Sequence, residues 1–427
     1  ARVRTRRRLV HGGIHVVPIG PVAPFLEVDD SGAALAAVYV PLIHGKLPGG
    51  WIVSGVVRRH SEAAGRFGLR YRRTISQELR ASSSEAGLLF EGTTSWLAGV
   101  YVQKLEDDLL TINRGTYYDP GYDFADSLDD RFSSDFEAVN AALFGQLERN
   151  VSETTRVGFG LRLERRTTDY TDSAMLEAGP TESMWGGELT LSHDLSGEVT
   201  GFISLSKGYK AGGFNLGFVP EGRRNFDEER LVTLETGVKT LFAANALSVN
   251  ASVFYSQRDE QQVRTSLQLV PGDPASFVFF TDNAATGKTL GLEADFRWIF
   301  SDSWELYANV GLLDASFDEF VAPQGDISGR SQAHAPRYTL AAGAAYRSSN
   351  GFFARLDLTA RDAFYFDVSH DQKSEAYELV NTRIGFDGGG WLVELWARNL
   401  LDERYAVRGF YFGNEPPDFP NALYTRS

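Results

Sequence analysis

The 427-residue sequence contains no cysteine and only two methionines. Without cysteine there can be neither a disulfide bond nor a thiolate-ligated metal site. No apolar run reaches the roughly 18 residues of a membrane-spanning helix, although a closed β-barrel can also cross a membrane. Basic residues are outnumbered, and the formal net charge of −14 argues against a general nucleic-acid-binding protein, which needs a basic face.

Aromatic residues and strand-like alternation are abundant instead, with 29 Phe, 17 Tyr and 7 Trp. From about Leu69 onward, segments of roughly 9 to 15 residues alternate apolar and polar side chains, which indicates β-strands with two different faces. Strands of soluble proteins average about 5 to 6 residues, so these are long. In one segment the apolar face consists of Leu290, Leu292, Ala294, Phe296, Trp298 and Phe300.

The connections between these segments alternate between two kinds. Short turns are predicted near 194–198, 243–245, 301–303, 348–350 and 388–390. Long polar loops are predicted near 210–229, 259–285, 318–335 and 367–375, with two more near 107–136 and 171–183. Short turns on one side and long loops on the other are typical of a bacterial outer-membrane barrel.

The two faces fit the same interpretation. Charged side chains are predicted to face a wet lumen, namely Glu293, Asp295, Arg297, Arg355, Asp357, Arg383 and Glu394. The Leu, Val, Ala and Phe face is predicted to meet lipid. Aromatic residues near strand ends are predicted to form interfacial girdles, namely Tyr209, Tyr255, Trp304, Tyr307, Tyr338, Tyr346, Trp391 and Tyr405.

We therefore predict an all-β fold, a transmembrane antiparallel β-barrel with about 14 to 16 strands in residues 46–427. Residues 1–45 do not join the pattern and form a segment without an assigned fold. The predicted cellular location is the outer membrane of a Gram-negative bacterium. A soluble β-sandwich also alternates, but it would bury its apolar face between two packed sheets.

The stretch SLSKGYKAGGFN, from Ser204 to Asn215, raises the possibility of a catalytic Ser-x-x-Lys pair. Ser204 and Lys207 are an odd number of residues apart on a predicted strand, so they lie on opposite faces and the match is a coincidence. Glycines after this strand allow the chain to leave the sheet.

Several segments in order resemble the C-terminal barrel of TonB-dependent outer-membrane receptors: SLSKGYKAGGFN, LETGVKTLF, ATGKTLGLEADFRW and NLLDERYAVRGF. The resemblance covers about Ile75 to Tyr411. Its barrel-motif positions are Lys207, Gly208, Tyr209, Lys210, Gly212, Gly213, Phe214, Asn215, Asn399, Leu400, Asp402 and Tyr405. The Lys207–Lys210 turn is most familiar among receptors for iron complexes.

This resemblance implies a 22-stranded barrel with an N-terminal plug, and energised uptake of a ferric siderophore or other iron complex through TonB. It also implies a monomer in outer-membrane lipid, without a cofactor or enzymatic activity. The plug, the TonB-binding box, several early strands and a final closing strand are expected to be absent from this chain. A truncated receptor is therefore expected, with doubtful transport competence of its own.

Candidate sites are few in the sequence itself. Two histidines in residues 11–15 have helical ligand spacing but no helical pattern, so we predict no metal site, and no catalytic set stands out. Loop aromatics are candidates for substrate contact, namely Tyr117, Tyr118, Tyr122, Phe410 and Tyr411, although membership of the outer aromatic girdle is the favoured interpretation. A passive porin-like channel and a secreted β-rich binding module remain alternatives, and the substrate is not determined.

Overall fold

The computed structural model describes residues 52–54, 58–64, 68–84, 87–119, 124–216, 219–269, 277–284, 286–322, 325–368, 371–411 and 423–426. Residues 1–45 thus lie outside the described residues. The described strands are β1 (Ile52–Ser54), β2 (Arg58–Ala64), β3 (Gly68–Ser82), β4 (Thr94–Asp119), β5 (Phe124–Asn150), β6 (Thr155–Asp172), β7 (Glu177–Ala178), β8 (Thr181–Ser196), β9 (Val199–Lys210), β10 (Gly213–Phe214), β11 (Asn225–Phe226), β12 (Glu229–Thr240), β13 (Leu247–Asp259), β14 (Gln261–Gln268), β15 (Phe277–Ala284), β16 (Gly287–Ser301), β17 (Trp304–Phe317), β18 (Val321–Ala322), β19 (Gly325–Asp326), β20 (Tyr338–Arg347), β21 (Phe352–Arg361), β22 (Tyr377–Asp387), β23 (Leu392–Ala397), β24 (Arg408–Tyr411) and β25 (Leu423–Arg426).

One antiparallel sheet of 17 strands forms the wall of the protein. Each long strand pairs with the next in the chain, from β3 through β6, β8, β9, β12, β13, β16, β17 and β20 to β23. β1 and β2 both pair with β3 and together occupy one strand position in the sheet. β7 has only two residues and is not counted as a separate position. The 17 strands thus occupy 15 strand positions. This agrees with the predicted number. A short 3₁₀ turn occurs at Glu221–Arg223, and no helix in the described ranges is long and apolar enough to cross a membrane.

The wall has an apolar outer face and a polar inner face. Leu205, Leu290 and Leu395 on the outer face are 49%, 52% and 63% exposed. On the inner face, Asn250 Nδ2 donates to Asp295 Oδ2 at 2.9 Å and Arg297 Nε donates to Glu305 Oε1 at 2.7 Å. No second sheet covers the leucines among the described residues, so the sandwich alternative is wrong and the predicted assignment of the faces is confirmed.

The predicted turns and loops agree with the structure at nearly every position. For example, β9 ends at Lys210 and β12 begins at Glu229, the bounds predicted for that loop. The exception is the loop predicted at 107–136, which is wrong. The ladder between β4 and β5 instead continues to the pair Asp119 and Phe124. Once a hairpin rises beyond the apolar layer, both of its faces meet water, so the alternation disappears although the backbone pairing continues.

Aromatic side chains form a belt at the short-turn end of the outer face. The ring centroids of Trp298 and Phe300 are 5.1 Å apart, those of Phe300 and Trp304 are 6.2 Å apart, and those of Trp304 and Tyr346 are 4.9 Å apart. Tyr346 in turn contacts Phe352. Amphipathic rings favour the boundary between hydrocarbon and water. This belt therefore marks the membrane–water interface on the short-turn side of the bilayer.

Two tyrosines predicted for the girdles lie elsewhere. The hydroxyl of Tyr307 hydrogen-bonds to Asp357 on the inner face. The hydroxyl of Tyr209 donates to Glu164, also on the inner face, at 2.8 Å. The girdle assignment of both residues is therefore wrong, because their hydroxyls bond to inner-face carboxylates. The Tyr209 side chain turns inward although its Cα stands opposite Arg230 in the ladder.

Glycines and aromatic rings pair across neighbouring strands on the inner face. In each pair the two residues stand directly opposite each other, and a Cβ added to the glycine would overlap the ring. The pairs are Gly99 with Phe144, Gly237 with Phe202, Gly291 with Phe254, Gly343 with Tyr307 and Gly385 with Phe353. Each ring thus lies flat on a neighbouring strand where only glycine leaves room for it.

The long loops carry a compact apolar core of their own. Val263, Phe317, Phe320, Ala322 and Val368 form a buried cluster beyond the long-loop ends of the strands. Short hairpins build this region, namely β10–β11, β14–β15, β18–β19 and β24–β25. The loops therefore pack on one another and form a folded outer layer.

Candidate functional site

A charged and aromatic cluster lies on the inner face of β4, β5, β6 and β9. Arg162 Nη2 is 2.7 Å from Glu164 Oε2, and Arg162 Nε donates to the Tyr209 hydroxyl at 3.2 Å. The Arg162 guanidinium also lies over the rings of Tyr101 and Phe144, at 5.5 and 5.8 Å from their centroids. The cluster combines a fixed cation, a carboxylate and two ring faces inside the lumen.

A second charged group lies on β3 and β4. Arg70 Nε and Nη2 donate to the two carboxylate oxygens of Asp107 at 2.8 and 2.6 Å, and Arg72 Nε donates to Asp107 Oδ2 at 2.9 Å. One carboxylate thus holds two guanidinium groups, and the group keeps a net positive charge. A bidentate pair is geometrically fixed, which orients both arginines.

A cavity of about 790 Å³ lies against the inner face between β8 and β20. Its lining includes four carboxylates and one ammonium group: Glu188, Glu235, Glu293, Asp295 and Lys239. The cavity is large enough for a small-molecule ligand, since such sites commonly occupy about 300 to 1,000 Å³. The inner surface is therefore positive near β3 and β4 and negative near β8 to β16.

The motif Lys207–Asn215 spans the edge between wall and loops. Lys207 points outward, where its Nζ lies 3.8 Å from the centroid of the Trp185 ring. Tyr209 points inward over Gly186, where a Cβ would lie 3.1 Å from the Tyr209 ring. Gly212 N–H donates to Glu182 Oε1 at 2.9 Å, and Phe214 contacts the ring of Tyr170. The predicted separation of Ser204 and Lys207 is confirmed, because Ser204 lines the inner cavity.

Asn215, the last motif residue, ties three loop segments together. Its side-chain Nδ2 donates to Arg223 O at 2.8 Å and to Thr281 O at 2.6 Å, while its Oδ1 accepts from Thr281 N–H at 2.7 Å. Arg224 Nη1 donates to Asn215 O at 2.7 Å. Because Asn215 is only 7% exposed, these bonds fix hairpin β14–β15 to the loop after β9.

The second motif, Asn399–Tyr405, forms a tight turn after β23. Asn399 Nδ2 donates to Glu403 O at 2.8 Å, and its Oδ1 accepts from Glu403 N–H at 2.9 Å. Asn399 and Asp402 have φ of 50° and 54°, a conformation that Asn and Asp tolerate better than most residues. Leu400 N–H donates to Val380 O, which keeps the turn on β22. Tyr405 stacks on the ring of Tyr377 with centroids 4.4 Å apart.

The outer layer contains a contact that the sequence did not reveal. Tyr365 has the Arg330 guanidinium 4.0 Å from its ring centroid and the Lys373 ammonium 4.1 Å from it. Arg330 Nη2 also donates to Asp367 O at 2.6 Å, and His334 N–H donates to Tyr365 O. These residues come from two loops about 35 residues apart, so no local pattern could have indicated their contact.

The pKa of one carboxylate in these loops, Asp326, is shifted. The Ser328 hydroxyl and the Ser328 N–H both donate to Asp326 Oδ1, at 2.5 and 2.9 Å. Hydrogen bonds to the ionised form, first from the hydroxyl and then from the backbone, lower the pKa of Asp326 below its usual value. Asp326 therefore keeps its negative charge in a moderately acidic medium.

The predicted substrate-contacting aromatics are not brought together within the described residues. Tyr117 and Tyr118 pair through their backbones with Asp126 and Ala125, in a strand and not in a loop. Phe410 and Tyr411 belong to β24. The side chains of these four residues and the whole of Tyr122 lie outside the described residues, so their substrate contacts stay a prediction.

The inner cluster allows a direct test. Tyr209→Phe removes one hydroxyl that bonds to the charged side chains of Glu164 and Arg162. Because these bonds are only partly buried, we expect the free energy of unfolding to fall by about 1.5 kcal/mol, the lower end for bonds to charged partners. Tyr338→Phe is the matched control, because no polar partner of its hydroxyl is found among the described residues. Denaturant unfolding in detergent, followed by tryptophan fluorescence, measures both. Equal effects of the two variants would show that Tyr209 does not depend on this network.

Chemically, the arrangement is suited to binding and passage. No group of three or more His, Asp or Glu side chains in the described ranges could hold a metal ion. The inner face offers fixed cations, carboxylates and ring faces beside a cavity, whereas the middle of the outer face is apolar and charged side chains occur on that face toward the long-loop end. A polar solute can thus move along one side of the sheet while lipid covers the other.

Comparisons with known proteins agree with this geometry. The model of the family described as "TonB dependent receptor-like, beta-barrel" matches residues 48–400. Among solved structures, the ferric yersiniabactin uptake receptor FyuA from Yersinia pestis has 20% sequence identity and a TM-score of 0.63, with 84% of this chain and 54% of that chain covered. Ferric citrate transporter FecA has 14% identity and a TM-score of 0.60, with 88% and 56% covered. Copper transporter OprC has 14% identity and a TM-score of 0.60, with 83% and 56% covered. The chain thus spans about half the length of the solved structures that it matches.

Proposed function

The chain belongs to the TonB-dependent receptor-like β-barrel family, and on this basis we propose that it forms the wall of a receptor for TonB-energised uptake of an iron complex. The family consists of transport receptors of the outer membrane, and the all-β wall with its apolar exterior is of that kind. The family match over most of the chain is the single observation that carries the proposal.

Iron complexes, and ferric siderophores above all, are the substrate class that we propose. Two of the similar structures are named for ferric yersiniabactin and ferric citrate. A third is named a copper transporter, so the shared fold alone does not specify iron. In support of an anionic chelate, the arginines around Asp107 and Arg162 offer cations on the inner face, where planar guanidinium groups suit carboxylate and catecholate oxygens.

Uptake in the bacterial host tests this function. We expect deletion of the gene to abolish accumulation of radioiron from one siderophore in a panel under iron limitation, and re-expression of the gene to restore it. A protonophore should stop the same uptake, because TonB draws on the proton gradient. Unchanged uptake of every panel member after deletion would contradict the proposal. Uptake that depends on the gene but survives the protonophore would favour a passive channel.

A further inference from the structure

A cationic sector lies on the outer face of β6, β8, β9 and β12. The outward side chains Leu163, Trp185, Leu205 and Leu234 are about half exposed and form the upper part of the apolar face. Three of these strands carry a charged outward residue between this apolar part and the long-loop end, and it is basic in each case: Arg165 on β6, Lys207 on β9 and Arg230 on β12. The outward residue at this level on β8 is Ser183, so no acidic side chain interrupts the sector there.

The ladder register brings these residues together. Leu163 stands opposite Trp185, and Arg165 stands opposite Ser183. Lys207 Nζ lies over the Trp185 ring and donates to Trp185 O at 3.0 Å. On β12 the ladder partner of Lys207 is Val232, and Arg230 follows two residues closer to the long-loop end, opposite Tyr209. Since neighbouring strands are about 4.8 Å apart, Arg165, Lys207 and Arg230 cover roughly 15 Å of the wall.

Other outward cations at this height already have carboxylate partners. Lys104 Nζ lies 3.0 Å from Glu106 and 2.9 Å from Glu137, and Lys288 Nζ lies 2.7 Å from Asp318. Within the described ranges, neither Arg165, Lys207 nor Arg230 forms an ion pair. Asp259 on β13 stands opposite Arg230 in the ladder but forms no ion pair with it among the described residues. The sector thus keeps a net positive charge immediately beside the apolar face.

We propose that Arg165, Lys207 and Arg230 bind the phosphate groups of an anionic lipid in the outer leaflet. Trp185 places the sector at the level of the headgroups, because tryptophan concentrates at the membrane interface. Cations at that level attract anionic headgroups, and arginine binds phosphate through two parallel hydrogen bonds. A span of about 15 Å fits a headgroup with more than one phosphate. The inference rests on the outer-membrane location of the barrel and is independent of the transported substrate.

Lipid binding to the purified full-length chain in detergent tests the proposal. The probes are diphosphorylated lipid A, the same lipid without its phosphates, and inorganic phosphate, each followed by native mass spectrometry. Each cation contributes about a fivefold gain in affinity at an anionic surface. We therefore expect the variant Arg165→Gln/Lys207→Gln/Arg230→Gln to bind diphosphorylated lipid A about a hundredfold more weakly.

The matched control is Lys104→Gln/Lys288→Gln, which removes outward cations that already have carboxylate partners, and it should bind like the wild type. Undiminished binding by the triple variant would overturn the proposal. It would equally be overturned if the wild type bound the dephosphorylated lipid as tightly, or bound inorganic phosphate with the same affinity. These two wild-type comparisons decide the matter even if the triple variant does not fold.

Discussion

Replacing Gly343 by alanine is expected to lower the free energy of unfolding by about 2 to 4 kcal/mol. The added Cβ would overlap the ring of Tyr307 on β17 and lie 2.7 Å from Leu356 O on β21. Gly343 lies between these two strands in the sheet, so the backbone cannot move away from one without approaching the other. The ring of Tyr307 must therefore leave its position.

Displacement of Tyr307 also breaks a polar network. Its hydroxyl bonds to Asp357, Arg355 Nη2 donates to that hydroxyl at 2.9 Å, and Arg355 Nε donates to Asp357 Oδ1 at 2.9 Å. Hydrogen bonds to charged partners contribute about 1.5 to 3 kcal/mol, and overpacking costs about 1 to 3 kcal/mol. The network is only partly buried, so we expect less than the sum of the two upper limits.

Denaturant unfolding in detergent measures this effect, and a second glycine provides the control. Gly160 lies on the same inner face, and the nearest atom to its added Cβ is 4.0 Å away. Gly160→Ala should change the free energy of unfolding by less than about 0.5 kcal/mol. Tyr307→Phe should cost an intermediate amount, because it retains the ring and loses only the hydroxyl. A similar cost for the two glycine variants would contradict the argument.

Asn215→Ala is expected to release hairpin β14–β15 from the loop after β9 without unfolding the wall. The substitution leaves Thr281 N–H, Thr281 O and Arg223 O without their side-chain partner. Each buried group that loses its partner costs about 1 to 3 kcal/mol, so the local free energy of opening should fall by about 3 kcal/mol or more. We expect amide exchange at Thr281 to accelerate by at least a hundredfold.

Hydrogen exchange with mass spectrometry resolves this local effect. The matched control is Asn225→Ala, because Asn225 is exposed and no side-chain hydrogen bond of it is found among the described residues. Exchange in β9 and β12 should be the same in both variants, since their ladder does not involve the Asn215 side chain. If exchange accelerated equally along the wall strands, Asn215 would be a general stability determinant and not a connector of the loops.

Much of the wall could be predicted because its rule is local. A strand between lipid and water must alternate apolar and polar side chains. The segment from Leu290 to Phe300 can therefore be predicted as a strand from its own residues alone. The bounds of the loop between Lys210 and Glu229 follow for the same reason. The alternation fails where lipid ends, and this is why the paired strands beyond Asp107 resembled a loop.

The candidate site could be predicted only in part, because it depends on contacts between distant residues. The motif positions around Tyr209 and Asn215 were found by resemblance, but their roles were not. The Tyr209 hydroxyl accepts a hydrogen bond from Arg162 on the inner face, and Asn215 bonds to Thr281, 66 residues away. The contact of Tyr365 with Arg330 joins two loops in the same manner. Such pairs depend on the register of the whole sheet, which no single segment encodes.

The continued ladder between β4 and β5 has a consequence for what the cell presents to its surroundings. β4 has 26 residues, which at about 3.3 Å per residue and a tilt of about 45° rises roughly 60 Å, whereas the apolar band of such a barrel is about 25 Å tall. The β4–β5 hairpin therefore projects tens of ångströms beyond the bilayer. A phage, a toxin or an antibody approaching the bacterium would therefore meet the outer ends of β4 and β5 well before it reached the bilayer.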